Sequence, residues 1–253
     1  MALREWLHVD GNFLFRWRSF LPILMVPLAL FAMTQSPDFA HRFGARAAAI
    51  WDFGCLALSV LGLGVRIATV GFVPGRTSGR NTREQRAERL NTTGAYSVVR
   101  NPLYVGNFLV FMGYVLATRV WWLAVLAAVV FWIYYRRIID AEESFLRRRF
   151  GAAFEDWARD TPAMLPNLAR WRGPDLDFSW RTVVRREYVT AYTVVLIMTV
   201  LNLANALLAE GGTLREWLRT NPFWPWFFVA GTALFLCVRV IKKRTDWLSV
   251  EGR

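Results

Sequence analysis

The sequence is poor in the residues that build many familiar polar sites. It holds two Cys and two His in 253 residues. Both cysteines, Cys55 and Cys237, lie inside apolar runs, which excludes a secreted scaffold built on disulfides. His8 and His41 stand far from any carboxylate cluster, so no metal site is expected. There is no Walker A loop and no G-x-S-x-G elbow. Gly62-Leu63-Gly64 lacks the third glycine of a dinucleotide loop and lies in mid-run. Close packing between helices is the simpler reading of that pair. Strands do not alternate with helices, so a soluble nucleotide-binding domain has no room. Neither a repeat of fixed period nor a low-complexity linker is seen.

What the sequence has is apolar length. Apolar residues make up 55% of it, with 13 Trp and 19 Phe. That composition excludes intrinsic disorder, and large aromatics favour bilayer interfaces. The formal net charge of +12 would suggest nucleic acid in a soluble protein. Among long apolar runs it reads instead as a positive-inside bias and an attraction to anionic phospholipid. No nucleic-acid partner is expected.

Six apolar stretches are candidate spans: residues 19–34, 47–73, 103–118, 120–135, 188–209 and 222–241. A span needs about 20 apolar residues. The second, fifth and sixth reach that, and the others need flanking residues. The third and fourth are separated by Arg119 alone, which predicts a tight helical hairpin. The first is expected to be retained rather than cleaved, because Glu5 and Asp10 interrupt its basic flank and no small-x-small site follows closely. A cytoplasmic N-terminus with alternating spans puts 24 of the 31 Lys and Arg inside and 5 outside. The expected fold is an all-α polytopic membrane helical bundle of about six transmembrane helices, both termini cytoplasmic. Residues 1–73 and 187–253 would supply flanking helices, and 74–186 the functional core. A channel or transporter would need ionisable groups in mid-span, and only Asp52 and Arg66 come near that. Their separation of 14 residues is too great for them to pair with each other on one helix.

Two polar segments, 74–101 and 136–186, are brought to one side of the membrane by the hairpin. In the first, Asn101-Pro102 is a helix start, with Asn as cap and Pro in the first turn. Unpaired N–H groups there, next to Arg100, suit an anion. Tyr96 and Tyr104 flank the start and can pack on a cation or a base. An ordinary interfacial helix start with snorkelling Arg and anchoring Tyr fits the same residues. In the second segment, Glu142 and Glu143 sit a turn or so below the fourth apolar run. Adjacent carboxylates at a membrane boundary are costly unless paired or used. A solvated helix pairing them with Arg147 is the alternative. Phe145, Leu146, Phe150 and Phe154 form a roughly helical stripe that would lie on the bundle.

Taken in this order, GAYSVVRNPLYVG at 94–106, a hairpin, EESFLRRRFGAAFEDW at 142–157 and TPAMLP at 161–166 resemble one family. It is the family of membrane methyltransferases that includes isoprenylcysteine carboxyl methyltransferase and the phospholipid methyltransferases. The resemblance covers about residues 60–167 and rests on the combination, since either half alone is weak. It implies S-adenosylmethionine as cofactor, held at the cytoplasmic face by Gly94, Tyr96, Arg100, Asn101, Pro102, Tyr104, Gly106, Glu142 and Glu143. Arg100 would suit the cofactor carboxylate, and Glu142 and Glu143 its ammonium or ribose hydroxyls. Arg100, Glu142 and Glu143 are then the candidate catalytic residues, with a glutamate as base if the acceptor is an amine. Many members have His where this chain has Asn101, which can donate or cap but cannot titrate. Arg80, Asn81, Arg83 and Asn91 precede the motif and, with Asn107, are candidates for binding an anionic lipid headgroup. Plain attraction to anionic lipid explains the same arginines. The expected activity is methyl transfer to a membrane lipid or isoprenoid-linked phosphate, carboxylate or amine in a bacterial inner membrane. The alternative is a non-catalytic lipid-binding or assembly module that keeps the fold.

Overall fold

The computed structural model describes residues 25–35, 39–75 and 87–253. Its elements are helical, and no strand occurs among the described residues. In chain order they are α1 (Met25–Gln35), α2 (Phe39–Phe43), α3 (Ala45–Val70), α4 (Ala95–Val98), α5 (Pro102–Ala117), α6 (Trp121–Phe150), α7 (Ala152–Asp160), α8 (Trp180–Ala204), α9 (Leu214–Thr220) and α10 (Phe223–Arg244). Helix α8 continues as a π-helical turn over Asn205–Ala209. Four helices, α3, α6, α8 with its π turn, and α10, are long and apolar enough to cross a membrane. Helix α5 is apolar but has 16 residues, and the 11-residue α1 covers residues 25–34 of the first expected span.

The boundaries follow local chemistry. Pro102 opens α5, where its missing N–H costs nothing. Ser179 caps α8 by accepting from the Thr182 amide. Thr213 and Glu216 form a reciprocal capping box at α9. The expected hairpin forms, and Arg119 turns it in the left-handed region at φ 62°. Two limits differ from the sequence reading. Helix α6 runs on to Phe150 without a break at the Arg136-Arg137 boundary. Arg is a good helix former, so charge ends the apolar run without ending the helix. Helix α8 starts at Trp180, a full two turns before the apolar run at 188, because its start is set by the Ser179 cap.

Helices α3 and α5 cross closely. A Cβ on Gly62 would stand 2.6 Å from the Gly106 carbonyl oxygen, and one on Gly106 2.8 Å from the Gly62 oxygen. The sequence reading of Gly62 as a packing residue therefore holds. Nothing lies within 4 Å of a Cβ built on Gly64.

Polar side chains inside the bundle bond across helices, as a low-dielectric setting requires. Arg66 of α3 forms a two-pronged ion pair with Glu187 of α8 at 2.8 and 2.9 Å and also donates to Asn107 of α5. Towards the hairpin turn, Arg119 bonds Asp52 and Glu210, both at 2.9 Å. Asn202 donates to Asp52 at 2.7 Å and accepts from the Trp217 indole at 2.8 Å. Asn205 donates to the Ala117 carbonyl. Asp52 and Arg66, too far apart to pair with each other, each find a partner on another element.

Candidate active site

The start of α5 and the extension of α6 meet at one end of the bundle. The Arg100 guanidinium grips the Glu143 carboxylate through Nε at 2.8 Å and Nη2 at 3.2 Å. Its Nη1 donates to the carbonyls of Ala158 and Thr161, each at 2.8 Å. The Arg100 amide donates to Pro162 O. A residue 43 positions away along the chain thus fixes the end of α6 against the start of α5. This fork-on-fork geometry is the strong form of an Arg–carboxylate bond.

Asn101 sits at the cap position, but its side chain makes no capping bond. It donates instead to Ala163 O at 3.1 Å and to Glu143 at 3.5 Å. The expected side-chain cap is therefore corrected: the amide secures the segment after α7. One turn on, the Tyr104 hydroxyl donates to Glu142 at 2.8 Å. The Tyr104 ring meets Tyr135 edge-on at 4.8 Å, and Tyr135 stacks on Phe131 at 4.0 Å. Met164 packs on the same buried cluster.

The remaining candidates scatter around this centre. Gly94, at φ 59°, bonds its amide to Arg172 O, and a Cβ there would touch Pro174 at 3.4 Å. The Tyr96 carbonyl accepts from the Trp157 indole at 3.1 Å. Tyr96 and Asn91 line a cleft with Thr69, Val73 and Thr93, beside the Arg89–Asp175 pair. Pro102 is buried at the first position of α5. Gly106 faces the Arg66 stem and Gly62, so its close approach is to α3. Asn107 is held by Arg66. Arg80, Asn81 and Arg83 lie outside the described residues. The pairing of the glutamates with Arg147 does not form: Arg147 pairs with Glu155, and its guanidinium lies over the Phe154 ring.

Three contributors escaped the sequence reading. They are the carbonyls of Ala158, Thr161 and Ala163, the aromatic wall of Phe131 and Tyr135, and the Arg66–Glu187 pair. Carbonyls carry no sequence signal. The two aromatics lie in the apolar run 120–135, where nothing in the sequence sets them apart.

One end of the apolar hairpin thus carries Glu142 beside an aromatic wall and Glu143 clamped by Arg100. Residues 56–153 match the family model for phospholipid methyltransferase. The match includes both halves of the site. The nickel-cobalt-cadmium resistance protein NccN of Alcaligenes xylosoxydans xylosoxydans is 39% identical over 127 residues, covering 48% of this chain and 57% of that protein. The cobalt-zinc-cadmium resistance protein CzcN of Cupriavidus metallidurans is 36% identical over 124 residues, covering 47% and 53%. The protein-S-isoprenylcysteine O-methyltransferase of Schizosaccharomyces pombe is 31% identical over 77 residues, covering 30% and 33%. The matched part of the chain spans about half the length of the first two of these relatives. No solved structure matches.

Proposed function

We propose that this chain transfers a methyl group from S-adenosylmethionine to a membrane lipid or lipid-linked acceptor at the cytoplasmic face. The observation that carries this reading is the convergence of Tyr104, Glu142 and the Arg100–Glu143 clamp at one end of the bundle, inside the matched segment. The cofactor would supply an electrophilic methyl carried on a sulfonium. Glu142 beside the Tyr104 and Tyr135 rings fits a cationic ligand, through charge and ring quadrupole together. Arg100 fits a different role from the one its sequence position suggested. Four of its N–H donors are already spent on Glu143, Ala158 and Thr161. It is a positioning residue that fixes α6, and Glu142, beside the Tyr104 hydroxyl, is assigned to the ligand. Displacement at carbon needs alignment and exclusion of water. The buried cluster of Tyr104, Phe131, Tyr135, Ile138 and Ile139 supplies the dry wall. A phosphate or carboxylate acceptor arrives as an anion and needs no base, whereas an amine would hand its proton to Glu142.

A second observation bears on biological setting. The two relatives above 35% identity bear names of metal resistance, yet among the described residues no three His, Cys, Asp or Glu side chains are grouped to hold a metal.

The test is transfer of label from methyl-labelled S-adenosylmethionine into a total membrane lipid extract by the purified full chain. A labelled lipid with the wild type, lost with Glu142→Ala and reduced with Tyr104→Phe, is the expected result. Absence of both labelling and cofactor binding in folded wild-type protein would overturn the proposal and favour the non-catalytic module.

A further inference from the structure

The segment that closes the site shows two opposite faces. Its inner face is bound to the catalytic end. Thr161, Pro162 and Ala163 give their carbonyls to Arg100 and Asn101, and Met164 packs on the aromatic wall. The Asn167 amide bonds Val98 O, and the Arg172 amide bonds Ser97 Oγ. The outer face is apolar and uncovered. Leu165 is 78% exposed, Leu168 76% and Trp171 57%, at a spacing of three residues through a short 3-10 turn. These are the side chains that a water-facing loop would not carry in a row.

The height of this face in the molecule is set by its bonds. It is tied to residues 94–101, immediately before α5 enters its apolar run at Pro102. The neighbouring span ends lie at the same level. The Ser179 amide at the start of α8 bonds Gly71 O at the end of α3. Trp180 packs edge-on against Trp247 at 5.0 Å, with the Arg181 guanidinium over both rings. Phe178, Trp180 and Trp247 at these span ends are also exposed. Trp at this height and Arg170 and Arg172 beside it are the chemistry of a headgroup layer.

We propose that the outer face of residues 165–171 docks into the lipid headgroup layer of the bilayer that holds the spans, so that the closing segment of the site is bound by protein on one side and by membrane on the other. The apolar side chains sit at the boundary between headgroups and acyl chains, as in an interfacial amphipathic element. The occupant is the bilayer surface, because the face is bonded to the residues at which α5 enters its apolar run and is flanked by Arg170 and Arg172. This proposal concerns placement and stands whether or not the chain transfers methyl groups.

The experiment places a single environment-sensitive thiol probe on the full chain in nanodiscs of phosphatidylcholine and phosphatidylglycerol. Exposed Cys237 is replaced by Ser, and Leu168→Cys or Trp171→Cys carries the probe. Arg159→Cys on α7, an exposed position, is the control. Quenching is read with a spin label high on the lipid acyl chain and with aqueous iodide. The expected result is lipid quenching at least twofold above the control at both test positions, with iodide quenching at least twofold below it. Iodide quenching equal to the control would overturn the proposal. Protection from both quenchers would overturn it too, by showing protein on this face. Two test positions guard against one substitution disturbing the segment.

Discussion

Glu142 and Glu143 are sequence neighbours with different partners, and their substitutions should diverge. Glu143 neutralises a guanidinium that is mostly buried, so Glu143→Ala leaves Arg100 without its carboxylate. Loss of one partner from such a pair costs about 3 kcal/mol. Thermal unfolding in detergent should show a clear fall in Tm for this variant. Glu142→Ala removes the acceptor of the Tyr104 hydrogen bond and leaves the Arg100 clamp intact, so its Tm should fall less, while cofactor binding weakens at least tenfold. Equal destabilisation by both would contradict the division between a clamp and a ligand-facing carboxylate. The residues of this site were legible as types and positions, because Asn101-Pro102 and the adjacent glutamates are unusual beside apolar runs. Which carboxylate Arg100 takes was not legible. That choice depends on the rotation of α6 at the point where it meets α5, and on the carbonyls of a segment beyond α7.

At the scale of elements, the crossing of α3 and α5 depends on the absence of side chains at Gly62 and Gly106. Gly62→Ala puts a methyl against the Gly106 carbonyl and the Val110 amide, at 2.6 and 2.7 Å. Both neighbours are backbone and cannot rotate away. The helices must separate, at about 1–3 kcal/mol. Gly64→Ala meets nothing within 4 Å and should be neutral or mildly stabilising, since Ala is the better helix former by about 1 kcal/mol. Parallel unfolding of the two variants checks this, and equal behaviour would contradict the crossing. The hairpin was legible because one polar residue separates two apolar runs. The continuation of α6 to Phe150 was less so, because hydropathy marks where apolar character ends and helix propensity does not change there.

On the scale of the whole molecule, the C-terminal helices lie outside the family segment but are tied to it by the Arg66–Glu187 pair. The Glu187 side chain is 4% exposed, and Arg66 reaches on from it to Asn107 of α5. Glu187→Ala should destabilise by about 3–5 kcal/mol, and limited proteolysis should then cut between residues 162 and 179 faster than in the wild type. An unchanged cleavage rate would show that α8 is held without the Arg66–Glu187 pair. Such a pairing between residues 121 apart has no local pattern, whereas the spans that carry it could be read from composition. The central claim is that the clamped end of the hairpin holds S-adenosylmethionine through Glu142. Equilibrium binding of labelled S-adenosylmethionine to the full chain in nanodiscs addresses it most directly, with Glu142→Ala beside a distant exposed control, Trp226→Ala. The expected result is saturable binding to wild type and control and at least tenfold weaker binding to Glu142→Ala at unchanged fold. Saturable binding of equal strength in all three, or no binding to folded wild type, would contradict the claim.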